Sequence, residues 1–177
     1  MLCFDFEQPT DTAEIDTLLD IVFGPDRRVK SSYALRENNP AIRDLSLVAR
    51  LDGRLVGCIR YSKIHVANTK KIHMASAKPG QIQNLLLLGP LAVAPELHGK
   101  GVGKKMIERT LDTAKNMGQE RVLLVGDLSY YGRFGFCLVE PNIVTLPNGK
   151  TEDRLLLRQP KAEPPLLPHG KLLPGWA

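Results

Sequence analysis

Three glycines alternate at positions 99, 101 and 103, with Lys100 and Val102 between them and Lys104-Lys105 directly after. Upstream lie the apolar run Leu85-Leu86-Leu87-Leu88, a break at Gly89-Pro90, a resumption at Leu91-Ala92-Val93 and a second proline at 95. From residue 101 an amphipathic helix is expected. A buried strand that delivers a glycine-rich turn onto a helix N-terminus is an anion-binding device. The turn exposes backbone N–H groups, and the helix adds a partial positive charge behind them. Lys100 and Lys104 either add point charges to that cradle or form a solvated helix start.

Counting tests which phosphate-bearing ligand suits the glycines. A Walker A loop ending at Gly103-Lys104 needs a glycine at 98 and a hydroxyl at 105, where the chain has His98 and Lys105. The dinucleotide fingerprint, started at Gly99 or Gly101, meets Lys104 or Met106 at its third glycine. Both fail. His65, His73 and His169 are scattered and support no metal site.

The bulk properties set limits on the rest. At 177 residues the chain is long enough for one domain with a proper core. Apolar residues at 43% and charged residues at 24% are ordinary for a globular protein. The net charge of +5 and pI near 9.2 are mildly basic, without an arginine-rich run or aromatic interleaving, which argues against nucleic acid as a partner. Cys3, Cys58 and Cys137 are odd in number and have no close pair, which fits a reducing cytosol. The acidic N-terminus lacks a signal-peptide pattern and no apolar run reaches membrane-spanning length, so a cytoplasmic protein is expected.

Several elements must position the glycine turn. Leu2–Glu7 alternates as a first strand, and Asp11-Thr12-Ala13-Glu14 reads as a capping box opening a helix over 11–23, stopped by Gly24-Pro25. A weak helix is expected around 29–37. Asp52-Gly53 between two apolar runs predicts a hairpin of 45–51 with 55–61, its second strand extending toward Val66. A turn-rich connection over 67–81 leads to a fourth strand at 82–93. The helix over 101–118 places Val102, Met106, Ile107, Thr110, Leu111, Ala114 and Met117 on one face, with Gly118 as its stop. Arg121–Gly126 reads as a buried fifth strand, parallel to the fourth across a right-handed crossover. One or two helical turns follow at 129–134. A last strand pair, 136–146 with 154–158, is joined through Pro147-Asn148-Gly149-Lys150. Five of the thirteen prolines fall in 160–177, so this tail is expected as an extended arm packed by its leucines and Trp176, or else a disordered segment, and neither helix nor central strand.

Leu91-Ala92-Val93-Ala94-Pro95-Glu96-Leu97-His98-Gly99-Lys100-Gly101-Val102-Gly103 resembles the loop of the GNAT superfamily of acyl-CoA-dependent N-acetyltransferases. Downstream, Asp127-Leu128-Ser129-Tyr130-Tyr131-Gly132-Arg133-Phe134-Gly135-Phe136 is similar to a GNAT subgroup motif. The resemblance spans 2–146 by element order and is sharp at 85–136. It implies an α/β fold with a mixed sheet of about seven mostly antiparallel strands in three layers, with helices on both faces and the fourth and fifth strands parallel and splayed. It also implies an acetyltransferase domain over 1–159 followed by the tail. Acetyl-CoA is the implied cosubstrate, an amine the implied acceptor, and no metal is called for. Membrane and nucleic acid are not expected as partners, whereas a homodimer closed by the tail is left open.

On that reading the amides of 100–104 hold the CoA pyrophosphate, with His98 and the glycines at 99, 101 and 103 shaping the loop. Pro90 removes a ladder donor and kinks the strand, so Leu91, Ala92 and Val93 can pair with pantetheine as an added strand would. The resemblance assigns the Val93 amide to the thioester carbonyl and, counting back five from Phe136, makes Tyr131 the acid for the leaving thiolate. Tyr130 is then packing or a cofactor contact. Three departures stand out. His98 replaces Arg or Gln, Leu128 replaces a proline, and Leu85–Leu88 lacks the carboxylate that many members use as general base. The missing carboxylate motivates a second reading, a non-catalytic GNAT-fold module that binds acyl-CoA as sensor or structural ligand.

Overall fold

The computed structural model describes residues 1–29, 31–68, 83–160 and 167–176. Nine strands lie within them: β1 (Leu2–Phe6), β2 (Leu47–Leu51), β3 (Arg54–Asn68), β4 (Gln83–Val93), β5 (Val122–Val125), β6 (Cys137–Leu138), β7 (Val144–Thr145), β8 (Leu155–Arg158) and β9 (Gly170–Pro174). Three helices accompany them: α1 (Thr12–Phe23), α2 (Val102–Asn116) and the single turn α3 (Leu128–Tyr131). The strands pair in the order β1-β2-β3-β4-β5-β8-β6, with β9 beside both β3 and β7. The mixed α/β sheet matches expectation, with nine strands in place of about seven. The expected connection over 67–81, with His73, lies almost wholly outside the described residues.

The chain forms two compact units, and β3 and β4 run through both. The first comprises Met1–Lys30, Ala41–Tyr61 and Leu88–Gln119. Its hairpin turns through Asp52 at φ 49° and Gly53 at φ 86°, the positive angles that a tight twisted turn demands. Register slips between Ala49 and Arg50, so Ala49 faces Gly57 and Arg50 faces Leu55. Gly57 lies against α2, where an added Cβ would be 3.0 Å from Met106 Cε. Helix α2 buries Val102, Met106, Ile107, Thr110, Leu111 and Ala114, and the Thr110 hydroxyl lies 2.9 Å from the Tyr61 hydroxyl. Met117 falls beyond the last helical residue and is exposed. Gly118, at φ 71°, provides the expected stop.

The capping box is displaced by one turn. Asp11 does not cap α1. It sits in a preceding 3-10 turn, accepts the Gln8 N–H at 2.8 Å and pairs with Arg50 at 2.7 Å. Glu14 also turns to Arg50, at 3.1 Å, instead of reaching back. An arginine on the neighbouring strand draws both carboxylates, because a charged pair is the stronger hydrogen bond. The weak helix expected around 29–37 is replaced by 3-10 turns at Pro25–Val29 and Ser31–Leu35.

The second unit comprises Ser31–Pro40, Ser62–Leu87 and Glu120–Ala177. Its core gathers Ile64, Val66, Leu85, Leu87, Leu123, Leu155 and Leu157. Strand β5 pairs in parallel with β4 at Leu86–Val122 and Leu87–Leu123, and antiparallel with β8. The expected strand over 136–146 divides at Asn142, where φ is 65°. Its first part, β6, pairs with β8, and its second, β7, turns to β9.

The tail is extended and packed by Leu172 and Trp176, one of the two expected alternatives, but it is an interior strand, which its prolines argue against. Gly170–Pro174 is a strand held on both sides, antiparallel to β3 and parallel to β7. Gly170–Leu173 is free of proline, and Pro174 lies at the strand end where its missing donor matters least. Leu172 is fully buried, and the Trp176 indole N–H donates to the Leu85 carbonyl at 3.2 Å.

Candidate functional site

In the first unit, β4 continues through Gly89-Pro90, with Gly89 at φ 123° and a cis peptide, and ends at Val93. Leu91 and Val93 are half-buried and Ala92 is buried. The Ala94 N–H donates to the Val56 carbonyl at 2.8 Å, which anchors the strand's exit. A 3-10 turn at Pro95–Leu97 then reverses the chain, closed by Leu97 N–H to Ala94 O at 2.8 Å and His98 N–H to Pro95 O at 3.1 Å. The reversal brings His98 Nε2 to 2.9 Å from the Val93 carbonyl oxygen.

Gly99 and Gly101 adopt φ of 75° and 79°, and a Cβ on either would meet no atom within 4 Å. Their backbone angles, not crowding, call for glycine. The Lys100 N–H donates to Leu97 O at 3.2 Å, so it is engaged within the loop, against the expectation that it faces a ligand. The first helical bond runs from Lys105 N–H to Gly101 O at 3.0 Å. The amides of Val102, Gly103 and Lys104 therefore begin α2 without intrahelical acceptors, as helix geometry requires. Lys100 is exposed, and Lys104 Nζ lies 3.7 Å from Glu108, an exposed pair of little energetic weight. Three orphan amides at a helix start behind two left-handed glycines fit a diphosphate.

The second unit carries the tyrosines. Strand β5 ends at Val125, and α3 starts from Asp127, whose carbonyl accepts both the Tyr130 and Tyr131 amides at 3.0 Å. The Tyr131 ring meets Tyr130 edge-on at 5.0 Å and Phe136 at 5.9 Å. Burial, reinforced by Tyr130 and Asp127, pushes the Tyr131 phenol up to about 12. Burial also raises Tyr130, against the opposing Arg133 guanidinium stacked 5.2 Å over its ring. Arg133 is thus part of the aromatic cluster. Both phenols keep their protons at neutral pH, and Tyr131 is a hydrogen-bond donor for any anion that reaches it.

Two features of the candidate site escape a reading of the sequence. Gly126 leaves room for the Tyr131 ring, and its only signal is the Gly-Asp pair preceding the tyrosines. The His98 ring contact with Val93 has as its only signal a histidine five residues after a strand end. Leu85, Leu86, Leu87 and Leu88 are all buried, and no carboxylate stands among them. Among the described residues, no helix is long and apolar enough to cross a membrane.

Residues 12–136 match the acetyltransferase (GNAT) family model. The chain is 32% identical over 133 residues to the uncharacterized N-acetyltransferase YjhQ of Escherichia coli K12, covering 75% of this chain and 68% of that protein. It is 30% identical over 131 residues to the uncharacterized N-acetyltransferase YhbS of the same strain, covering 73% and 70%. Among solved structures, its fold is similar to Escherichia coli YhbS in complex with CoA, with a TM-score of 0.72, 24% identity, and coverage of 98% of this chain and 89% of that one. A Brucella melitensis GNAT family acetyltransferase in complex with acetyl-CoA gives 0.66 at 26% identity, covering 99% and 96%.

Proposed function

This chain belongs to the GNAT acetyltransferase family, and from that premise we propose that it transfers an acetyl group from acetyl-CoA to a primary amine by direct attack on the thioester. The observation that carries the reading is the loop from Val93 to Lys104, whose left-handed glycines feed orphan amides at a helix start. In this reading the amides of Val102, Gly103 and Lys104 hold the pyrophosphate. Leu91, Ala92 and Val93 pair with pantetheine through their backbone, and the Val93 N–H donates to the thioester oxygen as it gains negative charge.

The acceptor nitrogen must arrive neutral, since an ammonium has no lone pair. Its attack forms the C–N bond, collapse breaks the C–S bond, and the nitrogen gives up a proton to water in the absence of a carboxylate at Leu85–Leu88. Tyr131 donates a hydrogen bond to the departing thiolate. With its phenol near 12 and an ordinary thiol near 8.5, the tyrosine stabilises that anion chiefly by donation, without full proton release. Tyr130 and Arg133 pack around it. A cytoplasmic setting suits the free thiols and the cosubstrate.

Calorimetric titration with acetyl-CoA tests this reading, and saturable binding of one equivalent is expected. No binding of acetyl-CoA or CoA would overturn it. A non-catalytic acyl-CoA-binding module is the second reading, favoured by the all-leucine stretch at 85–88. It predicts the same titration without thiol release from any amine.

A further inference from the structure

We propose that His98 is a positioning residue that holds the acyl-donor end of β4 in register for the thioester, an inference that rests on the acetyl-CoA reading above. A carbonyl oxygen only accepts, so the ring nitrogen 2.9 Å from the Val93 oxygen carries the hydrogen, and His98 Nε2–H is the donor. The Val93–Ala94 peptide is consequently tied at both ends. Its oxygen is held by His98, and its N–H by the Val56 carbonyl at 2.8 Å. That peptide plane is bound on both sides and so is held against rotation, and the Ala92–Val93 plane that carries the Val93 N–H pivots from the Cα it anchors.

The local chain builds this contact without strain. Pro95–Leu97 forms one 3-10 turn, and the Lys100 N–H closes a second onto Leu97 O at 3.2 Å. His98 stands at the junction in an extended conformation, φ −59° and ψ 143°, with its ring turned back over the strand end. The residue has two conceivable duties here. Its ring could face the diphosphate, or it could staple Val93. The observed partner is a carbonyl, which selects the second. Charge is unnecessary for that duty, and a neutral side chain of similar reach performs it equally well.

The test is calorimetry of CoA and acetyl-CoA with the wild type, His98→Ala and His98→Gln, with circular dichroism confirming the fold of this exposed-site variant. CoA lacks the thioester oxygen that the Val93 amide would meet, so the two ligands separate alignment of Val93 from general loop integrity. His98→Ala should weaken acetyl-CoA about three- to tenfold and CoA distinctly less, a loss on the scale of one hydrogen bond. His98→Gln, whose amide nitrogen has similar reach, should stay within about twofold of wild type for both. Equal losses in Ala and Gln variants, an unchanged Ala variant, or equal losses for CoA and acetyl-CoA would each overturn the role of His98. Failure of the wild type to bind either ligand would instead overturn the acetyl-CoA reading itself.

Discussion

A Cβ placed on Gly126 would stand 2.5 Å from Tyr131 Cε2 and 2.9 Å from Cδ2, so the tyrosine ring occupies the space that any other residue at 126 would claim. The ring is held from its remaining sides by Tyr130 and Phe136. Gly126 therefore sets where the Tyr131 hydroxyl lies. Gly126→Ala should leave acetyl-CoA affinity within about twofold and lower kcat by about ten- to a hundredfold, because small displacements of a reacting group are costly. Steady-state kinetics beside calorimetry check this. An alanine variant with full kcat would show that the ring position is not limiting.

Tyr131→Phe should reduce kcat by about a hundredfold or more while acetyl-CoA binding changes little, the range for loss of a positioned hydrogen-bond donor to developing negative charge. The edge contacts of the ring survive the substitution, so the melting temperature should hold. A similar fall in the Tyr130→Phe variant would move the donor role to Tyr130.

The pH profile follows from the direction of the Tyr131 shift. Its pKa is raised to about 12, so the donor form persists at all lower pH and is lost only as pH climbs through that value. The acceptor ammonium loses its proton as pH rises, which makes the nucleophile. The rate should increase with pH and then level, with no descending limb below about pH 10. A descending limb between about pH 8 and 10 that disappears in Tyr131→Phe would contradict this.

In the loop, Gly101→Ala forces a side chain into a left-handed conformation at φ 79°, at a cost of about 1–2 kcal/mol. CoA affinity should fall about five- to thirtyfold. Lys104→Ala breaks only an exposed pair with Glu108 and should change affinity about threefold or less. Calorimetry on both separates backbone geometry from side-chain charge.

The tail strand predicts a stability effect remote from the chemistry. Leu172 is fully buried between β3 and β7, and Leu172→Ala should cost about 2–5 kcal/mol and lower Tm by about 5–15 °C. Thermal unfolding measures it. An unchanged Tm would mean that β9 is dispensable.

These elements also show where a sequence speaks and where it is silent. Gly99 and Gly101 sit at left-handed angles, and Asp52-Gly53 turns the hairpin, because a positive φ leaves its mark in residue type. The leucines of β4 and β5 read correctly for a related reason, since burial on both faces calls for unbroken apolar runs. Strand β9 does not read, because its identity comes from partners about a hundred residues away at Ile64–Asn68, and proline density around it points elsewhere. Asp11 and Glu14 mislead for a like reason, since Arg50 on another strand claims both carboxylates. In the site itself, the glycines and Tyr131 are visible in the motif. Gly126 and the His98 ring contact are not, because each acts through a side chain or void that only the folded chain brings together.

Release of CoA thiol from acetyl-CoA, followed across a broad panel of primary amines with the wild type and Tyr131→Phe in parallel, tests the proposed transfer most directly. Thiol release that depends on at least one amine, and falls about a hundredfold in the phenylalanine variant, is the predicted result. Saturable acetyl-CoA binding with no amine-dependent thiol release would contradict it and leave a non-catalytic acyl-CoA-binding module.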